Sequence, residues 1–335
     1  MAKKIICLGI ESTAHTFGVA IVDQNCNVLA NVSDTFTTEK GGIVPIEAAK
    51  HHEHVKGKLI DEALHKANMT LKDINIIAFS QGPGLSPCLL QGMHKAAELA
   101  KLLKIPLVPV NHCIAHLEIG RKVCKAKDPV LLYASGANTQ IIAYASGKYR
   151  IFGETLDQGI GNFIDSFGRY IGMGFPGGPK IAELAERADK SKLIELPYSI
   201  KGMDVSFTGI LTNLKQKYDS KKFKTEDLAF ALQEHAFAML IEAAERAMAH
   251  LGKKEILLGG GVACNKRLQE MASIMAKERG AKSFVPPNFM LVDNATMIAW
   301  TGILEYQSGI QIKPEHVTIM PYERTDQVDI KWRSD

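Results

Sequence analysis

Apolar and polar positions follow one design twice along the chain. Residues 4 to 23 (KIICLGIESTAHTFGVAIVD) give an apolar run, a polar turn of Ser, Thr and His, and a second apolar run, which predicts two strands joined by a turn. Residues 129 to 146 (PVLLYASGANTQIIAYAS) repeat it, with Ser135, Gly136, Ala137, Asn138 and Thr139 in the turn. Neither connection is a two-residue hairpin. Small hydroxyl and glycine residues suit places where backbone N–H groups must approach a phosphate closely, and they also suit ordinary turns. Two copies at the heads of two halves favour the first reading.

Each half then alternates helix and strand. Helical periodicity runs from Pro45 to about Met69, INIIAFS (74 to 80) reads as a buried strand, and QGPGLSP (81 to 87) breaks the chain before a helix from about Cys88 to Leu103. IPLVPV supplies another strand. After the second hairpin come the segment GNFIDSFGRYIG and a helix following FPGGP. Thr225 is expected to cap a long amphipathic helix with Leu228, Leu232, Met239 and Ala243 on one face and Glu234, Glu242, Glu245 and Arg246 on the other. EILLGGG (255 to 261) is a strand running into three glycines, followed by a helix from Cys264 or Asn265, and a helix from about Asn294 closes the pattern.

The 335 residues suffice for two cores, and 46% hydrophobic with 23% charged residues excludes intrinsic disorder. A formal net charge of +4 does not announce a nucleic-acid binder, so any RNA contact is expected to be local, with RKVCKAK (121 to 127) and KQKYDSKKFK (215 to 224) as the basic segments, unless they are only solvated faces. The short apolar stretch before Glu11 reads as a strand and not a signal peptide, and no long uncharged apolar run follows. A soluble cytoplasmic protein is expected. Six cysteines without CxxC spacing argue for free thiols.

Two α/β lobes, each opening with a hairpin that offers a small-residue turn, predict a two-lobed actin-like ATPase fold, a duplicated RNase H-like unit with a cleft between the lobes. Residues 1–132 form the first lobe, closed by a C-terminal helix at 294–325, and residues 133–293 form the second with a helical insertion. LLGGGVACN (257 to 265) stands where this fold borders an adenosine with glycines, since side chains would block the ring and ribose.

In VNHCIAHLEIG, His112 and His116 lie four residues apart, so on a helix both imidazoles share a face and can hold one divalent ion. Two unrelated histidines would show the same spacing. A zincin needs HExxH, and Cys113 stands where its glutamate would be. Asp293, just before the final helix, is the candidate oxygen ligand or else a residue favoured by the helix dipole. The histidines of HHEH (51 to 54) cannot all face one ion and read as a polar helix face.

With ESTAHTFGVA, GGIVPIEAAKHHEHV, SQGPGLSPCL, NHCIAH, GNFIDSFGRYIGMGFPGGPKI, DVSFTGI, LGGGVACNKRL and VDNATMIA in order over residues 4 to 310, the chain resembles the tRNA N6-adenosine threonylcarbamoyltransferase family, in particular the archaeal and eukaryotic catalytic subunit of the KEOPS complex. The resemblance implies transfer of a threonylcarbamoyl group from threonylcarbamoyl-AMP to N6 of the adenosine beside the anticodon, in tRNAs reading codons that begin with A. It implies an iron(II) or zinc ion on His112, His116 and Asp293, with Tyr133 as a possible phenolate ligand. It places an adenine nucleotide, threonylcarbamoyl-AMP or ATP, on Tyr133, Ala134, Ser135, Gly136, Ala137, Asn138, Asp165, Gly178 and Asn265, with Asp165 on the ribose hydroxyls. Three positions depart from the family pattern. Ser12 replaces a glycine, Ala137 replaces the second glycine of a Ser-Gly-Gly turn, and Ala182 stands where a ribose-binding glutamate is expected, with Glu183 beside it.

The implied chemistry needs little activation of the leaving group, so placement of the adenine amine matters most, and Glu11 is the candidate acceptor of its proton or else a turn residue satisfying backbone N–H groups. The resemblance also implies partners: tRNA, a small atypical protein kinase and a dimer-forming adaptor docked on the helix after Pro45, with no membrane. A metal-dependent peptidase and a nucleotide-gated scaffold ATPase are the competing readings.

Overall fold

The computed structural model describes residues 5–38 and 42–333, so Lys4 of the first hairpin reading and Gly41 of the GGIVP motif lie outside the described residues. The first half opens with β1 (Ile6–Glu11), β2 (Thr16–Asp23) and β3 (Val28–Thr35), followed by α1 (Pro45–Lys66), β4 (Ile76–Gly82), α2 (Ser86–Leu103), β5 (Leu107–Asn111) and α3 (His112–Cys124). Its sheet has the order β3-β2-β1-β4-β5, with antiparallel pairing among the first three strands and parallel pairing from β1 through β4 to β5.

The second half repeats this order. It runs β6 (Val130–Ala134), β7 (Thr139–Ala145), β8 (Lys148–Glu154), α4 (Ile160–Tyr170), α5 (Gly178–Glu186), the short hairpin β9 (Ile200–Lys201) and β10 (Asp204–Val205), then α6 (Thr208–Asp219), α7 (Thr225–Leu251), β11 (Glu255–Gly259), α8 (Lys266–Glu278), β12 (Lys282–Phe284), α9 (Asn288–Leu291) and α10 (Ala295–Gln307). The sheet order β12-β11-β6-β7-β8 matches the first strand for strand, with β6, β11 and β12 parallel as β1, β4 and β5 are. Central strands buried on both faces explain the unbroken apolar runs in the sequence.

α3 lies between the two sheets. Ala115 and Ile119 join α10 and the first sheet, whereas Cys113, Ile114 and Leu117 join Leu131, Tyr133 and Leu257 of the second. Every residue from His112 to Gly120 is buried, so α3 is held on all sides through its first two turns. α10 packs on the first sheet through small residues: a methyl group on Gly9 would meet the backbone N of Ala299 at 2.6 Å, and one on Gly302 would meet Ala78 Cβ at 2.4 Å.

Three sequence expectations are corrected. The closing helix ends at Gln307 and not at 325, because Ser308 takes the C-cap, Gly309 enters the left-handed region at φ +85°, and the chain continues as an irregular tail. Thr225 does not cap α7; it is the first helical residue behind an extended Lys224 that makes no side-chain cap bond, and Glu226 with Asp227 supplies the favourable charge instead. HHEH is not simply a polar face. His52 is fully buried, packs edge-on against Phe17 at 5.5 Å, and places Nε2 3.1 Å from the Ala14 carbonyl, while His51 pairs with Asp34 at 2.9 Å and His54 alone of the three is exposed. All six cysteines are free thiols. Among the described residues no helix is long and apolar enough to cross a membrane.

Burial, with the nearby His51 charge, pushes His52 down to about 4, despite its bond to Ala14. A histidine depressed in the folded state stabilises above the unfolded value near 6.5 and loses that contribution as pH falls toward 4, here by up to about 3 kcal/mol. His52→Gln should therefore flatten the fall in urea stability between pH 7 and pH 4.5. An unchanged difference between those two pH values would sink this assignment.

Candidate functional site

Asn111 ends β5 and starts α3. Its side-chain oxygen accepts from the backbone N–H groups of Cys113 and Ile114 at 3.1 and 3.2 Å, which satisfies donors that a helix start leaves unpaired and sets the direction of the helix. His112 and His116 then project from successive turns with ring centroids 4.8 Å apart. Asp293 reaches them from the loop before α10, where Asn294 caps the helix by accepting from Met297 N at 3.1 Å. Asp293 Oδ1 lies 3.3 Å from His112 Nε2 and 3.4 Å from His116 Nε2. One ligating atom from each of His112, His116 and Asp293 lies within 4.8 Å of the other two.

The turns of both repeats reach this triad. From the first, Glu11 Oε2 lies 3.0 Å from His112 Nδ1, and Thr13 locks the other carboxylate oxygen by donating from its backbone N at 2.7 Å and from its hydroxyl at 2.5 Å. Glu11 has no solvent exposure. From the second, Tyr133 lies with its ring 5.0 Å from that of His116. Burial keeps the Tyr133 phenol well above its ordinary value, so it is neutral here.

Charge in the site is polarised. Burial alone would lower His112, but the Glu11 and Asp293 carboxylates outweigh it and hold the ring well above its ordinary value. Burial and the His112 charge lower His116. Burial would raise Asp293, and the His112 charge with bonds from both histidines reverses this and holds it well below the carboxylate range. The Glu11 and Asp293 carboxylates on either side of His112 make this a place where positive charge is stabilised. Two imidazoles and a carboxylate form a donor set suited to iron or zinc.

The second turn is built from close backbone contacts. Ser135 N donates to Asn138 O at 3.0 Å, and Gly161 N and Asn162 N, at the start of α4, donate to the carbonyls of Ser135 and Gly136 at 3.0 and 2.9 Å. Gly260 approaches from the other side at φ +89°, where a methyl group would lie 2.4 Å from the Ala134 carbonyl oxygen. Ala134, Gly136 and Ala137 are thus gathered between α4 and the glycine loop. Asp165 on α4 accepts from Gly177 N at 2.7 Å, which brings the start of α5 and Gly178 beside it. Asn265 caps α8 by accepting from Arg267 N at 2.9 Å and donates to Gln233. Glu183 lies apart on the exposed face of α5, paired with Arg187. Ser12 turns its hydroxyl into the first lobe, where only a glycine at position 92 leaves room.

No carboxylate stands ready for peptidase chemistry on α3. Cys113 is buried, with its thiol pushed up to about 11 by burial, and Glu118 is committed to Tyr149, to Trp332 Nε1 at 2.8 Å and to Arg121 at 2.8 Å. Residues with no part in the sequence reading are Thr13 and Asn111. An asparagine directly before a helical HxxxH is an N-cap signal, so Asn111 was detectable; Thr13 was not, because its role depends on contacts with Glu11 and with His112, 99 residues away.

The sequence model for tRNA N6-adenosine threonylcarbamoyltransferase (TsaD) matches residues 27–300. The chain belongs to that family. The tRNA N6-adenosine threonylcarbamoyltransferase of Thermococcus kodakarensis is 54% identical over 328 residues, covering 98% of this chain and all of the relative. The protein of the same name from Methanopyrus kandleri is 46% identical over 98% of this chain and 96% of its own. A probable bifunctional tRNA threonylcarbamoyladenosine biosynthesis protein of Methanosarcina mazei is 50% identical, and there the match covers 60% of the relative. Among solved structures, full-length HypF superposes with a TM-score of 0.62 over 90% of this chain and 55% of its own, and the activator of 2-hydroxyisocaproyl-CoA dehydratase from Clostridium difficile with 0.55 over 94% and 100%. At 11% and 10% identity these show the fold alone, and that fold is the two-lobed actin-like one the sequence predicts.

For this family member the glycine loop gives a direct contrast. Gly260→Ala should destabilise by about 2 kcal/mol through its left-handed backbone and the clash with Ala134, whereas Gly261→Ala, with open space at its Cβ and no positive φ, should be nearly neutral in denaturant titration. Equal stability of the two variants would contradict the packing described for the turn.

Proposed function

We propose that this enzyme transfers the threonylcarbamoyl group of threonylcarbamoyl-AMP to N6 of the adenosine adjacent to the anticodon, in tRNAs reading A-starting codons, as the catalytic subunit of a KEOPS complex. The observation that supports the reading is that Thr13 of the first hairpin turn and Tyr133, just before the second, both lie against one His-His-Asp cluster, which would let a nucleotide and a cation share a single site. Bifunctional relatives named for threonylcarbamoyladenosine biosynthesis support the substrate class.

His112, His116 and Asp293 would hold one divalent ion, iron(II) or zinc, with Tyr133 beside them. When bound, such an ion supplies Lewis-acid stabilisation of negative charge developing on the carbamoyl or phosphate oxygens. The backbone of Ser135 to Asn138 presents N–H groups to the adenylate phosphate, Asp165 and the start of α5 at Gly178 take the ribose, and Asn265 borders the adenosine. Glu183 is exposed and points to no role in this set. The N6 amine attacks the carbamoyl carbonyl carbon, the bond from that carbon to the phosphate oxygen breaks, AMP leaves and one amine proton is released. Both oxygens of Glu11 are engaged by Thr13 and His112 away from solvent, which favours a positioning role over proton acceptance: its carboxylate holds His112 Nδ1 and so aims Nε2 at the cluster.

One exposed apolar face supports the adaptor reading. Val44 and Ile46 are exposed at the start of α1, next to a groove formed with Pro87 and Gln91 of α2, and this face suits the dimer-forming adaptor. The small kinase and the adaptor would then supply much of the grip on tRNA, since the chain carries only a +4 excess.

Incubation of the full chain with threonylcarbamoyl-AMP and unmodified tRNA should yield modified adenosine and AMP, faster when the kinase and adaptor are present, and Asp165→Ala should weaken AMP binding selectively. Hydrolysis of a peptide with no transfer to tRNA would overturn the reading. Glu11→Gln should lower affinity for zinc or iron(II) about 10- to 100-fold in a chelator competition, with both histidines intact. Unaltered metal affinity in that variant would remove Glu11 from its positioning role.

A further inference from the structure

Behind the triad, on the far side of Asn111, lies a cavity of about 280 Å³ between the C-terminal ends of β4 and β5, the last turn of α10 and the tail. Gln81, Asn111, Glu305 and Glu323 line it, with Asp329 and Lys331 also contributing. Glu305 is 2% exposed, and among the described residues its Oε2 has no hydrogen-bond partner. A buried carboxyl oxygen lining a polar cavity without a donor is costly, and the group is relieved by holding a proton, by a water or other donor, or by a cation. Burial and the charges of Glu323 and Glu118 push Glu305 well above the carboxylate range, a shift that a cation in the cavity would reverse. Glu323 is also raised by burial, and it accepts a hydrogen bond from Asn111 Nδ2 at 2.9 Å.

We propose that this cavity is a second cation site, taking a hydrated divalent ion of the magnesium class on Glu305 and Glu323. The size fits, because an octahedral ion with about six waters at about 30 Å³ each needs roughly 180 Å³. Carboxylates on the wall of a polar cavity suit an ion that keeps most of its water, which is how magnesium is commonly held. The site goes beyond the transfer chemistry and does not depend on it. It touches that chemistry at one residue: Asn111 donates to Glu323 with its nitrogen while its oxygen fixes the start of α3, one residue before His112. An ion drawing on Glu323 would act on the direction of the helix that carries the triad.

Manganese is the probe, followed by electron paramagnetic resonance of the free ion in titrations of the full-length protein. The wild type should show a class of about one weaker ion beyond the triad, and it should persist when His112 and His116 are both replaced by alanine. Glu305→Gln, nearly the shape of the neutral acid, and Glu323→Gln should each lower affinity for that class about tenfold or more and abolish the rise in melting temperature produced by magnesium. Identical manganese isotherms and magnesium-dependent melting shifts in wild type and Glu305→Gln would overturn the proposal. So would a stabilisation by spermidine that Glu305→Gln removes while manganese binding stays intact, since the cavity would then be an ammonium site.

Discussion

The structure depends on one buried helix. α3 is clamped between two sheets, with Ala115 and Ile119 against the first and Ile114 and Leu117 against the second, and the same packing that joins the halves fixes the orientation of His112 and His116. A helix buried on all sides cannot rotate to release one histidine without unpacking the other lobe. Its fit is set by absence of side chain at Gly120, where a methyl group would lie 2.8 Å from Leu257 Cδ2 on β11. The polar N-terminal end of this helix survives in an apolar setting because Asn111 caps it from within the chain, and because Glu11 and Asp293 balance the charge of His112.

Duplication gives the site its second ingredient. Because the two sheets share one strand order, each presents its first hairpin turn at the equivalent edge, and α3 brings those edges face to face. The turns do different work. The first is rigid through side chains, with Thr13 and Glu11 bound to each other and to His112, and His52 holding the Ala14 carbonyl from beneath. The second is held mainly through backbone, with Gly161 and Gly260 pressed against residues 134 to 136 and the Thr139 hydroxyl accepting from Ile160 N at 2.8 Å. A turn held in that way keeps N–H groups oriented without bulk in front of them, which is what an approaching phosphate requires.

Much of this was legible in the sequence, for identifiable reasons. The hairpins are local and apolar on both faces, so the repeat of KIICLGIESTAHTFGVAIVD in PVLLYASGANTQIIAYAS revealed the duplicated sheet, and i, i+4 spacing placed both histidines on one helix face. Asp293 was legible only as one of two alternatives, a ligand or a dipole-favoured acid before the final helix, since its contact is with a residue 177 positions earlier. His52 and the tail were misread because their burial is decided by long-range packing: a histidine among charged neighbours looks solvated until Phe17 and Ala14 are placed under it, and an irregular tail looks helical when it follows a strong helix. Thr225 was misread by one residue, the ordinary uncertainty of a helix start.

The tail closes the argument about how the halves stay in register. It is tied to the first sheet where Met320 N donates to the Gln81 carbonyl at 2.9 Å, and to the second half where Arg324 meets Glu154 at 3.1 Å, Trp332 donates to Glu118 on α3 at 2.8 Å, and the Arg333 guanidinium lies 4.0 Å over the Tyr144 ring. Exposed pairs such as Arg324 with Glu154 contribute little singly. Glu118 is different: a 3% exposed carboxylate whose three partners come from α3, β8 and the tail, so removing any donor leaves a buried charge short of a bond. α3 thus receives the two sheets along its sides, the triad at its start and the tail beyond its middle, so the packing that joins the halves and the geometry of the triad are one constraint.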